Sequence, residues 1–599
     1  MKKLNLKPVC AAVGLVLAAP AFAAGIDFSG TNIYMKFLDG NQRRVSVGTP
    51  DSPGSGDTAG GTDNGQWTEF ELRMKVNISK QVEAGVTVQS RSPASYWTDF
   101  GGFGGPEQTS TRASNLKLRG AYVLLTPGYQ WLDTALIGSN DWGQFDPFTV
   151  GKVRYIDRNN YKGLYFKGPL PLASSNWEFA RLSLPNYLQS NYGQGSACCS
   201  SDESQYNEAV YIAQAKAQFG PARFTTSYQW FDDRQLRPDT TPNDGRNIET
   251  FAKSKVFMLK AEGNAMDMLD LKGAYYRSQY DAPLFDQPWI NSPKSSINDH
   301  AFKLDAAISP LPGLALNYQY FNIGAGYYSN TAARHETDVL LTEGSESSWF
   351  RWGDPLWLGG AAKNFNQGPA SPLCHIKAAG VCQSDSGLSA GANGLVNNEN
   401  MDFDEAPSES VMGWKGHTFV ANYEVAKIAF AGEYSRIGYN YNWQNYSTTG
   451  PLSNYYNLNN DRSTDLFVFK VGYVAPVAGG IELAYKYKQV DDTNKGQAGN
   501  ATDDRDTKDS GHTFSAGSQL FGDLFGKIAY GRYKRDITKS GAKINNDKNI
   551  VSLGFAYNLA GFEAGLLSQW IKGDGDPNET GTKSDINQYR MKAFVKAIF

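Results

Sequence analysis

The chain has 599 residues, a formal net charge of −3 and a mean hydropathy of −0.46. That balance excludes broad nucleic-acid binding, which needs a basic face. It also excludes a bundle of membrane helices, since no apolar stretch beyond the N-terminus approaches the ~18 residues a spanning helix needs. Glycine (62) and tyrosine (33) are abundant and cysteine (5) is scarce, which suits a large β structure. A chain polar on average can still cross a bilayer if every second residue of its strands faces lipid.

Lys2, Lys3 and Lys7 open the chain and an apolar run from Val9 to Ala19 follows. Pro20-Ala21-Phe22-Ala23 then supplies a small-x-small site. Basic, apolar and small segments in this order form a secretory signal, so residues 1–23 are expected to be removed and 24–599 to form the mature protein. A short buried N-terminal helix is the competing reading. The first strand is expected near Ile26, which leaves no room for an N-terminal plug.

Thr68–Ile78 is the clearest strand. Phe70, Leu72, Met74, Val76 and Ile78 share one face, with Glu69, Glu71, Arg73, Lys75 and Asn77 on the other. Successive side chains of a strand point to opposite faces, so one side suits hydrocarbon and the other water. Leu116, Leu118, Tyr122 and Leu124 repeat the pattern against Lys117 and Arg119. Similar runs recur around Ile481–Lys488 and Val551–Asn558, and the chain ends on Tyr589, Met591, Ala593, Val595, Ala597 and Phe599. There Phe594 and Ile598 break the polarity of the opposite face.

The connections alternate in length. Ser79–Ala84, Thr126–Tyr129, Pro310–Gly313, Ala475–Gly480 and Ala560–Gly561 are short, whereas Asp39–Gln66, Thr98–Ser114, Ser329–Glu409 and Asp491–Ser510 are long. Outer-membrane barrels sort their connections in this way, with short periplasmic turns and long external loops. The expectation is therefore an all-β fold, a single transmembrane antiparallel barrel of about 22 strands (range ~18–22). Its place would be the outer membrane of a Gram-negative bacterium.

Ser139–Arg158 joins the expected fifth and sixth strands. It carries Asp141, Asp146 and Asp157 with Lys152, Arg154 and Arg158, and Trp142, Phe145, Phe148 and Tyr155 as packing groups. The whole pattern resembles the Gram-negative outer-membrane porins, and this segment is similar to the corresponding loop of general porins and of alginate-export barrels. The resemblance implies that the loop folds into the barrel and narrows the pore. Basic residues on nearby strands, Arg73, Lys75, Arg91, Lys117 and Arg119, are expected to face it across the lumen, and fixed charges act strongly where water is scarce. A plain external loop is the alternative.

Cys198, Cys199, Cys374 and Cys382 fall in expected external loops, and an even count in an oxidising compartment suggests disulfides. Cys374–Cys382 is the nearest pair. A bridge between the adjacent Cys198 and Cys199 is strained, so pairing across loops stays open. Acidic loop stretches around Asp503–Asp509 and Asp574–Glu579 read as solvated surface, in contact with lipopolysaccharide through divalent ions. No metal-ligand spacing, cofactor motif or catalytic motif is found, and His417 and His512 are candidate lumenal residues.

The leading functional expectation is a porin-like channel for passive diffusion of small hydrophilic solutes, not an enzyme, with no cofactor. Its other partners are outer-membrane lipid and lipopolysaccharide, and a homo-oligomer is left open. Two alternatives are an export conduit for a secreted polysaccharide and a sheath around a periplasmic electron-transfer partner.

Overall fold

A computed structural model describes residues 30–40, 67–92, 117–139, 142–150, 162–172, 174–183, 209–232, 253–266, 268–281, 296–324, 327, 377–378, 381–382, 414–440, 463–477, 480–494, 505–539, 541–575 and 583–599. The first strands are β1 (Asn32–Gly40), β2 (Trp67–Ser79), β3 (Val82–Ser92), β4 (Lys117–Leu125), β5 (Thr134–Ser139), β6 (Lys162–Pro169), β7 (Ser175–Ser183) and β8 (Ala209–Phe219). Next come β9 (Ala222–Asp232), β10 (Lys253–Met266), β11 (Leu269–Asp281), β12 (Ser296–Leu311) and β13 (Leu314–Ile323). A two-residue hairpin, β14 (Lys377–Ala378) with β15 (Val381–Cys382), stands apart from the main sheet. The remaining strands are β16 (Trp414–Val425), β17 (Ile428–Tyr439), β18 (Ser463–Ala475), β19 (Ile481–Asn494), β20 (Arg505–Phe521), β21 (Leu524–Lys539), β22 (Ala542–Leu559), β23 (Phe562–Gly575) and β24 (Ser584–Ile598).

Twenty-two strands form one antiparallel sheet, as the sequence pattern anticipates. Each pairs with its sequence neighbour, and β1 pairs with both β2 and β24, which closes the cylinder. The first and last described residues meet there: the Phe599 amide donates to the Thr31 carbonyl, and the Gly30 amide to that of Phe599, each at 2.9 Å. Closure leaves no strand edge, the condition for a sheet to sit in hydrocarbon.

The tight turns gather at one rim. Gly313 in the β12–β13 turn has φ +81°, and a Cβ there would lie 2.3 Å from the Glu424 carbonyl oxygen of β16. A left-handed backbone and a close strand both demand glycine at this place. One connection at the opposite rim is also short: β21 and β22 are joined across residues 540–541. Both strands are long there, 16 and 18 residues, more than the ~9–11 needed to cross.

The outward face is apolar and exposed around the cylinder, with Ile78, Leu259, Phe419, Phe514, Ile528 and Trp570 among its large side chains. A closed barrel with this outer surface is a multi-pass barrel of the bacterial outer membrane. By register, Phe70, Leu72 and Met74 share the outward face with Met35 of β1, as expected, although Phe70 and Leu72 are themselves buried. Phe594, which breaks the alternation of the last strand, faces inward. Gly565 leaves space for its ring, and Lys592 Nζ lies 5.9 Å from the ring centre.

One expected face is corrected. Tyr122 and Leu124 do not share the outward side of Leu118. The β3–β4 register slips between Thr87 and Val88, so Thr87 pairs with Gly120 and Val88 with Leu118, leaving Arg119 as the extra residue. A bulge of one residue reverses every side chain beyond it. Tyr122 therefore turns inward, its hydroxyl donates to Glu83 Oε1 at 2.7 Å, and Gly85 makes room for its ring.

Candidate lumenal site

Inside the cylinder the described part of the β5–β6 connection, residues 142–150, packs against the wall. Trp142, Phe145, Phe148 and Val150 are at most 1% exposed, an arrangement foreign to an external loop. Phe145 meets Tyr165 of β6 edge-on at 6.2 Å, and Trp142 does the same at 6.4 Å. Phe148 stacks on Tyr276 of β11 at 5.1 Å, with Lys303 Nζ of β12 4.3 Å from its ring centre. The segment thus spans from β6 to β12.

Asp146 holds the turn together. Its Oδ1 accepts the Phe148 amide at 3.0 Å and the Tyr276 hydroxyl at 2.9 Å. Its carbonyl accepts the Thr149 and Val150 amides at 2.8 and 2.9 Å. The Tyr327 hydroxyl donates to the Phe148 carbonyl at 2.7 Å. Burial, with the Asp146 carboxylate nearby, pushes the Tyr327 phenol well above its usual range, so it remains a donor.

Between residues 143–147 and the wall lies a cavity of about 570 Å³. Lys167, Lys216, Arg223, Lys260 and Lys272 line it, with Asp146, Glu178 and Glu262. Glu178 is buried, accepting from Lys216 Nζ at 2.8 Å and Gln214 Nε2 at 2.9 Å. Glu262 pairs with Lys260 at 2.9 Å and Arg223 at 3.5 Å. The cations outnumber the anions, so the wall beneath the loop is positive. A second inward region, of about 560 Å³, is lined by Lys470, Lys486 and Lys527 of β18, β19 and β21, and Lys470 stands directly opposite Lys486 in the register.

Of the residues singled out in the sequence, Asp146 sits in this site. Arg73 and Lys75 face inward on β2, but away from the loop cavity; Arg73 pairs with Glu71, and Lys75 with Glu83 at 3.0 Å. Arg91 pairs in register with Glu69, and Lys117 with Gln89. The side chains of Arg91, Lys117 and Arg119 are outside the described residues, as are Asp141, Lys152, Arg154, Asp157, Arg158, Cys198, Cys199 and Cys374. Cys382 is placed by its backbone alone, opposite Lys377. Among the described residues no group of three or more metal-ligating side chains converges.

His417 and His512 are not lumenal. His417 alternates with the buried Thr418 and shares the exposed outward side of Phe419; His512 shares that of Phe514. The sequence holds a signal for this: Gly416-His417-Thr418-Phe419 and Gly511-His512-Thr513-Phe514 are the same motif, each on the strand paired to a Tyr-x-Tyr, 318–320 and 485–487. The groups that sequence reasoning missed altogether are Glu178, Lys216, Tyr276, Lys303 and Tyr327. Each is an ordinary inward strand or loop position until the loop lands on it.

No protein-family model and no curated protein sequence matches the chain. Among solved structures, similarity is found to the copper transporter OprC, at 8% identity over 96% of this chain and 80% of that one, with a TM-score of 0.41. The siderophore receptor PirA from Pseudomonas aeruginosa aligns at 8% identity over 95% and 81%, TM-score 0.35. OccK10 (OpdN) from Pseudomonas aeruginosa aligns at 8% over 95% and 99%, TM-score 0.31. At such low similarity no function passes from them to this chain.

Proposed function

We propose that the chain is an outer-membrane channel for passive diffusion of small hydrophilic solutes, with residues 142–150 as part of its constriction and a preference for anions. The observation that carries this reading is the buried, aromatic-anchored segment inside the cylinder, with a charged cavity beneath it. A segment held this firmly fixes the width of the passage. Cationic walls that outnumber their acids raise the local concentration of anions in a poorly screened space. On this reading the inward charges select solutes and catalyse nothing.

Planar-bilayer recording of the purified barrel tests it. The expected result is steady conductance from the protein alone, with anions permeating faster than cations. Lys260→Ala with Lys272→Ala should move the preference toward cations. A barrel that stays closed until a co-purifying partner is stripped away would overturn diffusion in favour of a sheath. Block by an acidic polysaccharide at low concentration, with no passage of small solutes, would favour the export conduit.

A further inference from the structure

Three places on the outward face repeat one arrangement. On β11 and β12, Tyr275 stands opposite Phe302, and two residues farther on Arg277 stands opposite His300. On β16 and β17, Phe419 faces Tyr434, followed by His417 facing Arg436. On β20 and β21, Phe514 faces Tyr530, followed by His512 facing Arg532. All six cationic or imidazole side chains are exposed.

Their height is fixed by the turns. Each pair lies eight to eleven residues from the tight-turn end of its strands, the longest count being on β12, which carries an irregularity between Ile308 and Leu311; for tilted strands that is roughly 20–25 Å along the barrel axis. That is the far edge of an apolar band about 25 Å tall, where the aromatic girdle gives way to headgroups. An arginine pointing outward here meets neither solvent alone nor hydrocarbon, but the polar part of the outer leaflet. Tyr485 occupies the His512 Nδ1 at 3.0 Å, and Tyr318 the His417 Nδ1 at 2.7 Å, which orients both rings.

The three places differ in their acids. Arg436 stands opposite Asp465, which accepts the Tyr434 hydroxyl at 3.0 Å, so this place has a carboxylate on the same outward face. Arg532 stands opposite Asn549, a neutral residue that takes the Tyr530 hydroxyl at 2.8 Å; the nearby Asp536 pairs with Lys534 at 2.8 Å, and Asp491 lies 3.9 Å from Lys508. Arg277 stands opposite Phe257 on its other side, and the acid near this place is Asp299, whose Oδ1 is 3.4 Å from His300 Nδ1.

We propose that Arg277–His300 and Arg532–His512 are two headgroup sites that bind the phosphates of a phosphorylated outer-leaflet glycolipid, while Arg436–His417, which has the carboxylate residue Asp465 at the neighbouring register position, is not. The guanidinium offers a planar fork suited to phosphate oxygens, and the imidazole adds a second donor beside it. The aromatic pair beneath each site packs the first carbons of the acyl chains.

The test is native mass spectrometry of the full barrel in detergent, titrated with diphosphorylated lipid A, dephosphorylated lipid A or inorganic phosphate. Wild type is expected to retain the diphosphorylated lipid and release the dephosphorylated one. Arg277→Ala with Arg532→Ala should lower the bound fraction about tenfold, as loss of charged hydrogen bonds implies. Arg436→Ala, and an inward pair of equal charge, Lys486→Ala with Lys527→Ala, should change it less than twofold. Heat-modifiable gel mobility confirms that each variant is folded. Equal binding of the dephosphorylated lipid, or equal loss in the Arg436 variant, overturns the proposal. Displacement of the lipid by millimolar inorganic phosphate also overturns it, since the sites would then serve free anions. Conductance is a separate readout, so failure of the channel reading leaves this result intact.

Discussion

The inward faces of β10–β13 where the 142–150 segment lies against them, and of β2–β3, are parts of one cylinder and differ in chemistry. On β10 to β13 the inward Val256, Met258, Tyr276, Ala301, Phe321 and Ile323 are close to fully buried. On β2 and β3 the inward residues are Glu71, Arg73, Lys75 and Glu83, and the Arg73 and Lys75 side chains are 54% and 42% exposed. At that height the first wall is a protein core with Phe148 and Tyr327 packed into it, while nearer the tight turns the same strands carry the charged Lys260, Glu262 and Lys272 of the cavity; the second wall faces water. A barrel interior is therefore not uniformly polar: its chemistry at each height follows from what lies against it.

That contrast can be broken most severely at Phe148. Phe148→Ala removes the ring between Tyr276 and Lys303, and truncating a buried phenylalanine costs about 3–5 kcal/mol. The 142–150 segment should unseat, seen as a marked rise in single-channel conductance and faster proteolysis within it. Unchanged conductance would mean that the passage is set elsewhere. A smaller effect is expected at Glu178, where Gln leaves the half-buried Lys216 without its charge partner. The cost should be about 1–3 kcal/mol, measured as a lower midpoint in thermal unfolding, with anion preference increased because an inward acid has gone.

Smaller again is Tyr327→Phe, which deletes one hydrogen bond to the Phe148 carbonyl at about 1 kcal/mol. It also has a pH signature. The phenol is raised in the folded state, so its contribution is complete below the unfolded value near 10 and is lost only as pH climbs above that. Conductance of the wild type should be flat from pH 5 to 9 and rise at stronger alkalinity, and the variant should show a weaker alkaline rise. The smallest change belongs to the open wall. Lys75→Ala breaks an exposed pair with Glu83 and should shift stability by less than about 1 kcal/mol, with the loop position unaltered.

Much of the architecture was legible because the bilayer imposes a period of two on every crossing strand. Thr68–Ile78 shows it without interruption, and the count of 22 strands follows from such runs and the sorted connections. The bulge at Arg119 was not legible, since one extra residue has no composition signal and only the β3 partner reveals it. The site divides in the same way. Asp146 could be picked out from its place between the fifth and sixth strands, and its aromatic neighbours from their density. Tyr276 and Tyr327 could not, because they join Asp146 and Phe148 from 130 and 179 residues away, a distance that no local pattern spans. The outward His–Arg pairs sit between these cases: the repeated Gly-His-Thr-Phe was visible, but its side of the wall was settled by register.

The β1–β24 ladder has a consequence for assembly. Its two strands are separated by nearly the whole of the described sequence, so this ladder is the most non-local pairing among the described strands and should form last. Until it does, both strands expose unsatisfied amides and carbonyls, and the cylinder is an open ribbon prone to pair with other chains. Because Gly30 and Phe599 lie side by side, a circular permutant that joins Phe599 directly to Gly30 and opens the chain between β21 and β22 should reach the same cylinder, with the late-forming seam moved to a longer ladder of 16 registered pairs.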